Sequence, residues 1–309
     1  MPTKRSPRRG SMQYWPRKRS SKSHARLRTN APKEAKPSFM AGFKVGMTHV
    51  AFIPAKGNSK GQQVVWPVTV VEFPPLRVAG ISLYKKDAYG KHKAGHVVDG
   101  DKFYQRIQHT KKKGSLEGIK LEGIDSLRLI VQTQPNLTGI GRKKPDVFEM
   151  ALGGTPEEQF AFAKEKFGKD ITLQDVLQEG MLVDAHAVTK GKGFQGSVKR
   201  FGVAIRHHKS EKSRRSPGAI GPWRGGKMTK VPMAGQMGYH TRTERNKLLV
   251  QIGSEPEKIN PKGGFQGYGM VKNPFALFRG SLPGADKRLI KFTLTKGKEE
   301  APTLSHVSQ

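Results

Sequence analysis

From Phe39 onward the chain breaks into short stretches of β-branched, aliphatic and aromatic residues bounded by Gly and Pro, a pattern that predicts strands. Gly42–Thr48, Gln63–Val71, Arg77–Tyr84 and Ser126–Val131 predict the first four. Met181–Val188, Lys247–Ile252 and Arg288–Leu294 predict three more. One helix is announced by its ends: Thr155 at the N-cap, Pro156 after it and Glu158 three residues on form a capping box. Phe160, Ala163 and Phe167 then share a face, and Gly168 supplies the stop. A second short helix is predicted from Thr172, burying Leu173, Val176 and Leu177 and ending at Gly180. The expectation is a mainly β protein in which the two helices belong to a separate α/β module.

Two stretches escape this patterning. Residues 1–36 have neither a helical nor a strand period and read as an extended arm. Residues 183–247 contain no leucine, although leucine is among the commonest core residues, so this segment is expected to borrow its order from a partner. Glycines such as Gly191, Gly193, Gly196, Gly225 and Gly226 give it the latitude to follow an irregular surface.

Charge says what that partner is. The 57 Lys and Arg against 24 acids leave +33, which a compact particle cannot hold without a polyanion. Residues 1–36 carry +11 and residues 187–247 carry +13, so the other 212 residues hold only +9, within reach of a globular body with one basic face. Hydrophobic residues make up 35%, too few for the whole chain to pack a core. With no cysteine, disulfides and thiolate zinc sites are excluded, which fits a reducing compartment. Pro2–Lys36 lacks the apolar region of a secretory signal, and the longest apolar run, Val64–Phe73, is about half of the ~20 residues that a membrane span needs. A soluble protein is expected.

Enzymatic motifs are present only in fragments. Gly191-Lys192-Gly193-Phe194-Gln195-Gly196 matches G-x-G-x-x-G, yet Ser197–Gly202 do not promise a helix and only Glu211 stands near the acidic position, so a dinucleotide site is not expected. The same glycines fail as a phosphate loop because Ser197 replaces lysine, and Gly221–Lys227 fails because Met228 replaces the magnesium-binding hydroxyl. His207, His208 and His240 have no evident carboxylate partner; in an Arg/Lys-rich loop they suit stacking on RNA better than catalysis or metal binding. No cofactor is expected.

What remains is an RNA-binding pattern, with cations for phosphates and aromatics for the gaps between nucleotides. In the arm the candidates are Arg8, Arg9, Arg17, Lys18, Arg19, Arg26 and Arg28, with Trp15 available to stack. In the central segment Lys190, Lys192, Lys199, Arg200, Arg206, Arg214, Arg215, Arg224, Lys227 and Arg242 are interleaved with Phe194, His207, His208, Trp223, Tyr239 and His240. Gly221, Pro222, Gly225 and Gly226 around Trp223 predict a tight reversal that carries the indole at its tip. An RNA-modifying enzyme would instead need a polar or acidic cleft, and a chromatin protein would coat DNA without preferring folded RNA.

Gly191–Gly196 with Lys199-Arg200, Pro217–Trp223 (PGAIGPW) and Met233–Gly238 (MAGQMG) together resemble the large-subunit ribosomal protein L-three family. FMAGFKVGMT at Phe39–Thr48 and GGFQGYGMVKNPFALFRGSL at Gly263–Leu282 resemble that family's opening strand and closing region, so the likeness spans almost the whole chain. The arm with Arg9, Arg17, Lys18 and Arg19, and Trp223, resemble the archaeal and eukaryotic branch; the length points to the archaeal side. Some eukaryotic members carry a modified histidine upstream of the tryptophan, but the spacing from His207 or His208 to Trp223 does not fit it without a gap, so no modification is carried over.

The resemblance implies a six-stranded β-barrel of the translation-protein type with an inserted α/β module. Its parts would be a basic arm at 1–36, barrel segments at 37–80 and 181–309, the insertion at 81–180, and an RNA-penetrating loop at 190–245. It adds Gln236 to the candidate contacts, implies no catalytic residue, metal or cofactor, and names large-subunit ribosomal RNA and neighbouring ribosomal proteins as partners. The implied role is a cytoplasmic ribosomal scaffold whose loop tip buttresses the peptidyl transferase centre.

Overall fold

The computed structural model describes residues 10–27, 32, 34–54, 59–108, 114–116, 119, 121–218, 231–298 and 302–308. Its strands are β1 (Phe39–Phe52), β2 (Val64–Glu72), β3 (Leu76–Asp87), β4 (Gly90–Val98), β5 (Ser126–Gln132) and β6 (Val147–Ala151). After helix α1 (Pro156–Lys166) come β7 (Asp170–Ile171), β8 (Met181–Val188) and β9 (Phe194–Gln195), then helix α2 (Ser197–Phe201). β10 (Gly235–Gln236), β11 (Thr241–Gly253), β12 (Phe275–Arg279), β13 (Leu289–Lys298) and β14 (Leu304–Val307) complete the order. The chain divides into two compact units, one of Met1–Ser23 with Val188–Arg242 and the other of His24–Ala187 with Thr243–Gln309.

The larger unit holds two sheets. Seven strands run in the order β13, β8, β11, β12, β2, β1, β14, and β13 also pairs with β1, so the succession of ladders returns to its start. β1 serves three partners because it is long: its first half meets β13 (Phe39 opposite Thr293, Phe43 opposite Leu289), its last residues meet β14, and β2 runs along its other edge. A register shift at Lys44/Gly46 bends β1 between these tasks. Gly42 is needed here, since a Cβ would lie 2.8 Å from both the Glu72 carbonyl and the Phe73 ring. The interior is aromatic: Phe278 stacks on Phe292 at 4.3 Å, and Phe73 packs against both.

Three buried polar groups brace this unit. Glu72 is wholly buried; Oε1 accepts from Lys272 N, Asn273 N (both 2.9 Å) and Asn273 Nδ2 (2.7 Å), and Oε2 accepts from the Tyr268 hydroxyl. Burial, and then the Glu72 charge, push the Tyr268 phenol far up, so it stays a donor. Lys291, 2% exposed, sets its ammonium 3.8 Å from the Phe148 ring centre and 5.3 Å from that of Phe39. Asp146 takes a two-pronged contact from Arg142 (2.8 Å each) and lies 3.6 Å from His24 Nδ1.

Burial alone would raise the Asp146 carboxyl, but His24 and Arg142 hold it at about 2. A carboxyl depressed on folding stabilises above its unfolded value and loses that contribution as pH falls through the folded one. The expected loss is about 2 kcal/mol between roughly pH 4 and pH 2. Thermal melts of wild type and Asp146→Asn through that window test this; parallel pH dependences would contradict it.

The second sheet runs β4, β3, β5, β6, with β7 beside β3. Ile81, Leu127, Leu129 and Met150 line its buried side, and α1 packs on β5. Gln159 fastens the helix: its Oε1 accepts from Leu127 N at 2.7 Å while its Nε2 donates to Leu152 O and Gly154 O. α1 starts on the anticipated capping box, with Thr155 and Glu158 bonding reciprocally.

The helix expected from Thr172 does not form. Leu173, Val176 and Leu177 are buried as anticipated, but through a single turn in which Val176 N and Leu177 N both donate to Leu173 O. Gly180 N then donates to Leu249 O, drawing the chain into β8 before a second turn can build. The residue pattern does not predict β4, β6, β7, β9, β10, β12 or β14. No helix among the described residues is long and apolar enough to cross a membrane.

Candidate nucleic-acid interface

The smaller unit is built from the two basic stretches, whose sequence holds 21 Lys and Arg against one acid, Glu211. Its frame is a pair of antiparallel limbs, residues 189–195 and 235–240. β9 pairs with β10, Lys192 N donates to Met237 O, Met237 N to Gly193 O, and Thr189 N to His240 O, each at 2.9 Å. The limbs approach so closely that a Cβ on Gly238 would lie 2.1 Å from Lys190 O, and its φ of +72° is itself a glycine conformation. The next residue, Tyr239, adopts φ +54°, an uncommon state for an aromatic residue.

α2 corrects the expectation that no helix follows the glycine motif. It is only five residues long, capped by Gly196 and by left-handed Gly202; β8 ends at Val188 before the motif, and β9 lies inside it. That is not the strand, turn and long helix of a dinucleotide site. The helix instead presents Phe201, 7% exposed, to the arm. Trp15 stacks on Phe201 at 5.8 Å and 14°, and the Arg17 guanidinium sits 4.7 and 4.8 Å from the two ring centres. Arg242 covers Tyr14 at 4.0 Å, Ser20 N donates to Tyr239 O, and His240 Nδ1 lies 3.0 Å from Lys18 O. Arm and loop base are therefore one packed body.

This packing sorts the candidate residues. Lys18, Arg19, Lys190, Lys192, Lys199, Arg206, His207, His208, Arg214 and Arg215 are exposed, as is Phe194 at 76%. Arg26 is exposed too but belongs to the larger unit. Trp15 and Arg17 are turned onto Phe201. Arg200 donates to Met233 O at 2.7 Å and Gln236 O at 3.1 Å, and Gln236 Nε2 donates to Met237 O and Gly238 O. His240 is 8% exposed; burial foremost, with Arg242, Arg200 and Arg17 nearby, lowers its pKa against the opposing Lys18 carbonyl. It is a neutral structural side chain, not a cation for phosphate. Arg8, Arg9, Arg28, Trp223, Arg224 and Lys227 lie outside the described residues.

Two concavities open on this body. One of about 550 Å³ is lined by Arg19, Ser20, Ser21, Gly191, Gly193, Gln236 and Tyr239. The other, about 380 Å³, has Arg17, Lys190, Lys192, Arg200 and Arg242 on its walls. No carboxylate lines either, so both are positive hollows in which backbone glycines allow close approach of an anion. Among the described residues no group of three or more His, Cys, Asp or Glu is placed to hold a metal.

Residues 1–305 match the family described as Ribosomal protein L3. Relatives named Large ribosomal subunit protein uL3 include that of Methanothermobacter thermautotrophicus, 42% identical over 98% of this chain and 96% of its own. The protein of that name from Archaeoglobus fulgidus is 44% identical over 92% and 90%, and that from Methanosphaera stadtmanae 42% over 98% and 96%. With that agreement over nearly its whole length, the chain belongs to the ribosomal protein L3 family.

Proposed function

We propose that this chain, a ribosomal protein of the large subunit, acts without catalysis by binding and helping to fold large-subunit ribosomal RNA in the cytoplasmic ribosome. The observation that carries the reading is the smaller unit, 21 cations against one acid, with arm and loop base locked together by Trp15, Phe201 and Arg17. Inward cations hold the frame; outward ones, from Lys190 and Lys192 to Arg214 and Arg215, are left for phosphates. Phe194 offers an exposed ring for a base. Neighbouring ribosomal proteins would complete the surroundings.

In this reading the returning ladders of β1, β2, β12, β11, β8 and β13 are the six-stranded translation-protein barrel. The β3–β6 sheet with α1 is its inserted α/β module, and residues 1–36 and 190–245 are the RNA-penetrating extensions. Trp223, at the proposed loop tip, would buttress the peptidyl transferase centre. A stacked indole contributes about 1–3 kcal/mol, little beside many phosphate contacts. Trp223→Ala is therefore expected to leave assembly nearly intact and disturb peptide-bond formation or factor binding. Gradient-purified large subunits decide: loss of the chain in a moderate salt wash sinks the scaffold, and normal peptidyl transfer with normal tRNA-site accessibility sinks the role of Trp223.

A further inference from the structure

The larger unit carries a basic ribbon that the charge distribution along the chain did not single out. β5 pairs with β3 only as far as Tyr84 opposite Ser126, whereas β4 continues with Lys85 opposite His92, Lys86 opposite Lys91 and Asp87 opposite Gly90. Beyond Tyr84 the hairpin is thus a two-stranded projection, stiffened at its tip where Tyr89 N donates to Asp87 Oδ1 at 2.9 Å. Gly90, at φ +118°, completes the reversal. Tyr89 is 100% exposed.

Residues 82–96 contain four lysines and one acid, a local surplus of +3. Lys86 and Lys91 stand directly opposite on one face, and the Asp125 carboxylate, which pairs with Lys91 and is felt by Lys86, offsets part of their repulsion. Lys91 is held by Asp125, and Lys93 lies 3.3 Å from Glu149. Neither Lys85 nor Lys86 has a side-chain hydrogen bond or ion pair among the described residues. Lysines on an outer strand also discourage edge-to-edge pairing, but a wholly exposed tyrosine at the tip works against that role. Protein interfaces are depleted in lysine. An aromatic tip flanked by lysines fits RNA that offers a splayed base between phosphates.

We infer that the β3–β4 ribbon is a separate RNA contact, in which Tyr89 stacks on the base of an unpaired nucleotide and Lys85 and Lys86 take the flanking phosphates. It rests on the proposed place of the chain in the large subunit and is tested there. Tyr89 is replaced by photoreactive p-benzoylphenylalanine, with Phe194 replaced in a parallel chain; assembled subunits are irradiated and the adducts separated into RNA and protein. The expected result is an RNA adduct from position 89, with reverse transcription stopping at one unpaired nucleotide. In subunits carrying Tyr89→Ala, or Lys85→Glu with Lys86→Glu, that nucleotide should become several-fold more reactive to base-modifying reagents while sedimentation is unchanged. A protein adduct at 89, or none while position 194 labels RNA, overturns this inference alone. Failure at both positions overturns it together with the RNA-binding reading.

Discussion

Glu72→Ala is expected to destabilise the larger unit by about 3–5 kcal/mol, because it takes the shared acceptor from four donors around a wholly buried side chain. Lys272 N, Asn273 N, Asn273 Nδ2 and the Tyr268 hydroxyl all converge on this one carboxyl group. The strand suffers directly, since Glu72 sits opposite Phe43 in β1 and Phe275 in β12. Glu72→Gln should be milder, about 1–2 kcal/mol, because a carbamoyl oxygen can keep the three nitrogen donors while its NH₂ turns to the Tyr268 oxygen. Urea unfolding of RNA-free protein followed by circular dichroism measures both. Alanine and glutamine variants of equal stability would mean that the cluster is not a unit.

Affinity for large-subunit RNA is expected to collapse with salt. Each neutralised phosphate adds about −0.7 to −0.9 to the slope of log K against log salt, and six to ten contacts cost about 10³–10⁵ in affinity between 50 and 200 mM. Exposed and inward cations should behave differently. Lys199→Ala should reduce the slope by about one contact. Arg200→Ala should scarcely change it, yet should make residues 231–240 more sensitive to protease, because its guanidinium holds Met233 O and Gln236 O. Filter binding over a salt series gives the slopes. A wild-type slope shallower than about −3 would mean that the basic stretches are mostly solvated.

The sequence revealed an element wherever one face repeats. Met181–Val188 is found end to end because Val183, Ala185 and Ala187 alternate with half-buried residues. β4 escaped notice because Gly90–His96 are mostly exposed and have no apolar period; its ladder to β3 makes it a strand. The opposite failure hid β12, where Phe275–Phe278 are buried on both faces and read as an undifferentiated apolar run. Leu173, Val176 and Leu177 have helical spacing, but spacing does not reveal that Gly180 will be taken by β11. At the interface the basic composition was legible, whereas the division of labour was not. Arg200 and Lys199 are neighbours of like charge, and only the position of the 233–236 backbone turns one inward. Glu72 and its donors are about 200 residues apart, beyond any local pattern.

The three-way duty of β1 also sets a timetable for synthesis. Its ladder with β2 can form as soon as residue 72 is available, but its partners in β13 and β14 span residues 289–307. At roughly 5–20 residues per second, the first strand therefore waits on the order of ten to fifty seconds with one edge open. Phe39, Met40 and Phe43 lie on that edge, a template for association with other nascent chains. The polycationic segment that precedes it emerges first and repels its own copies, so the most vulnerable interval of the chain's life is spent behind an electrostatic shield.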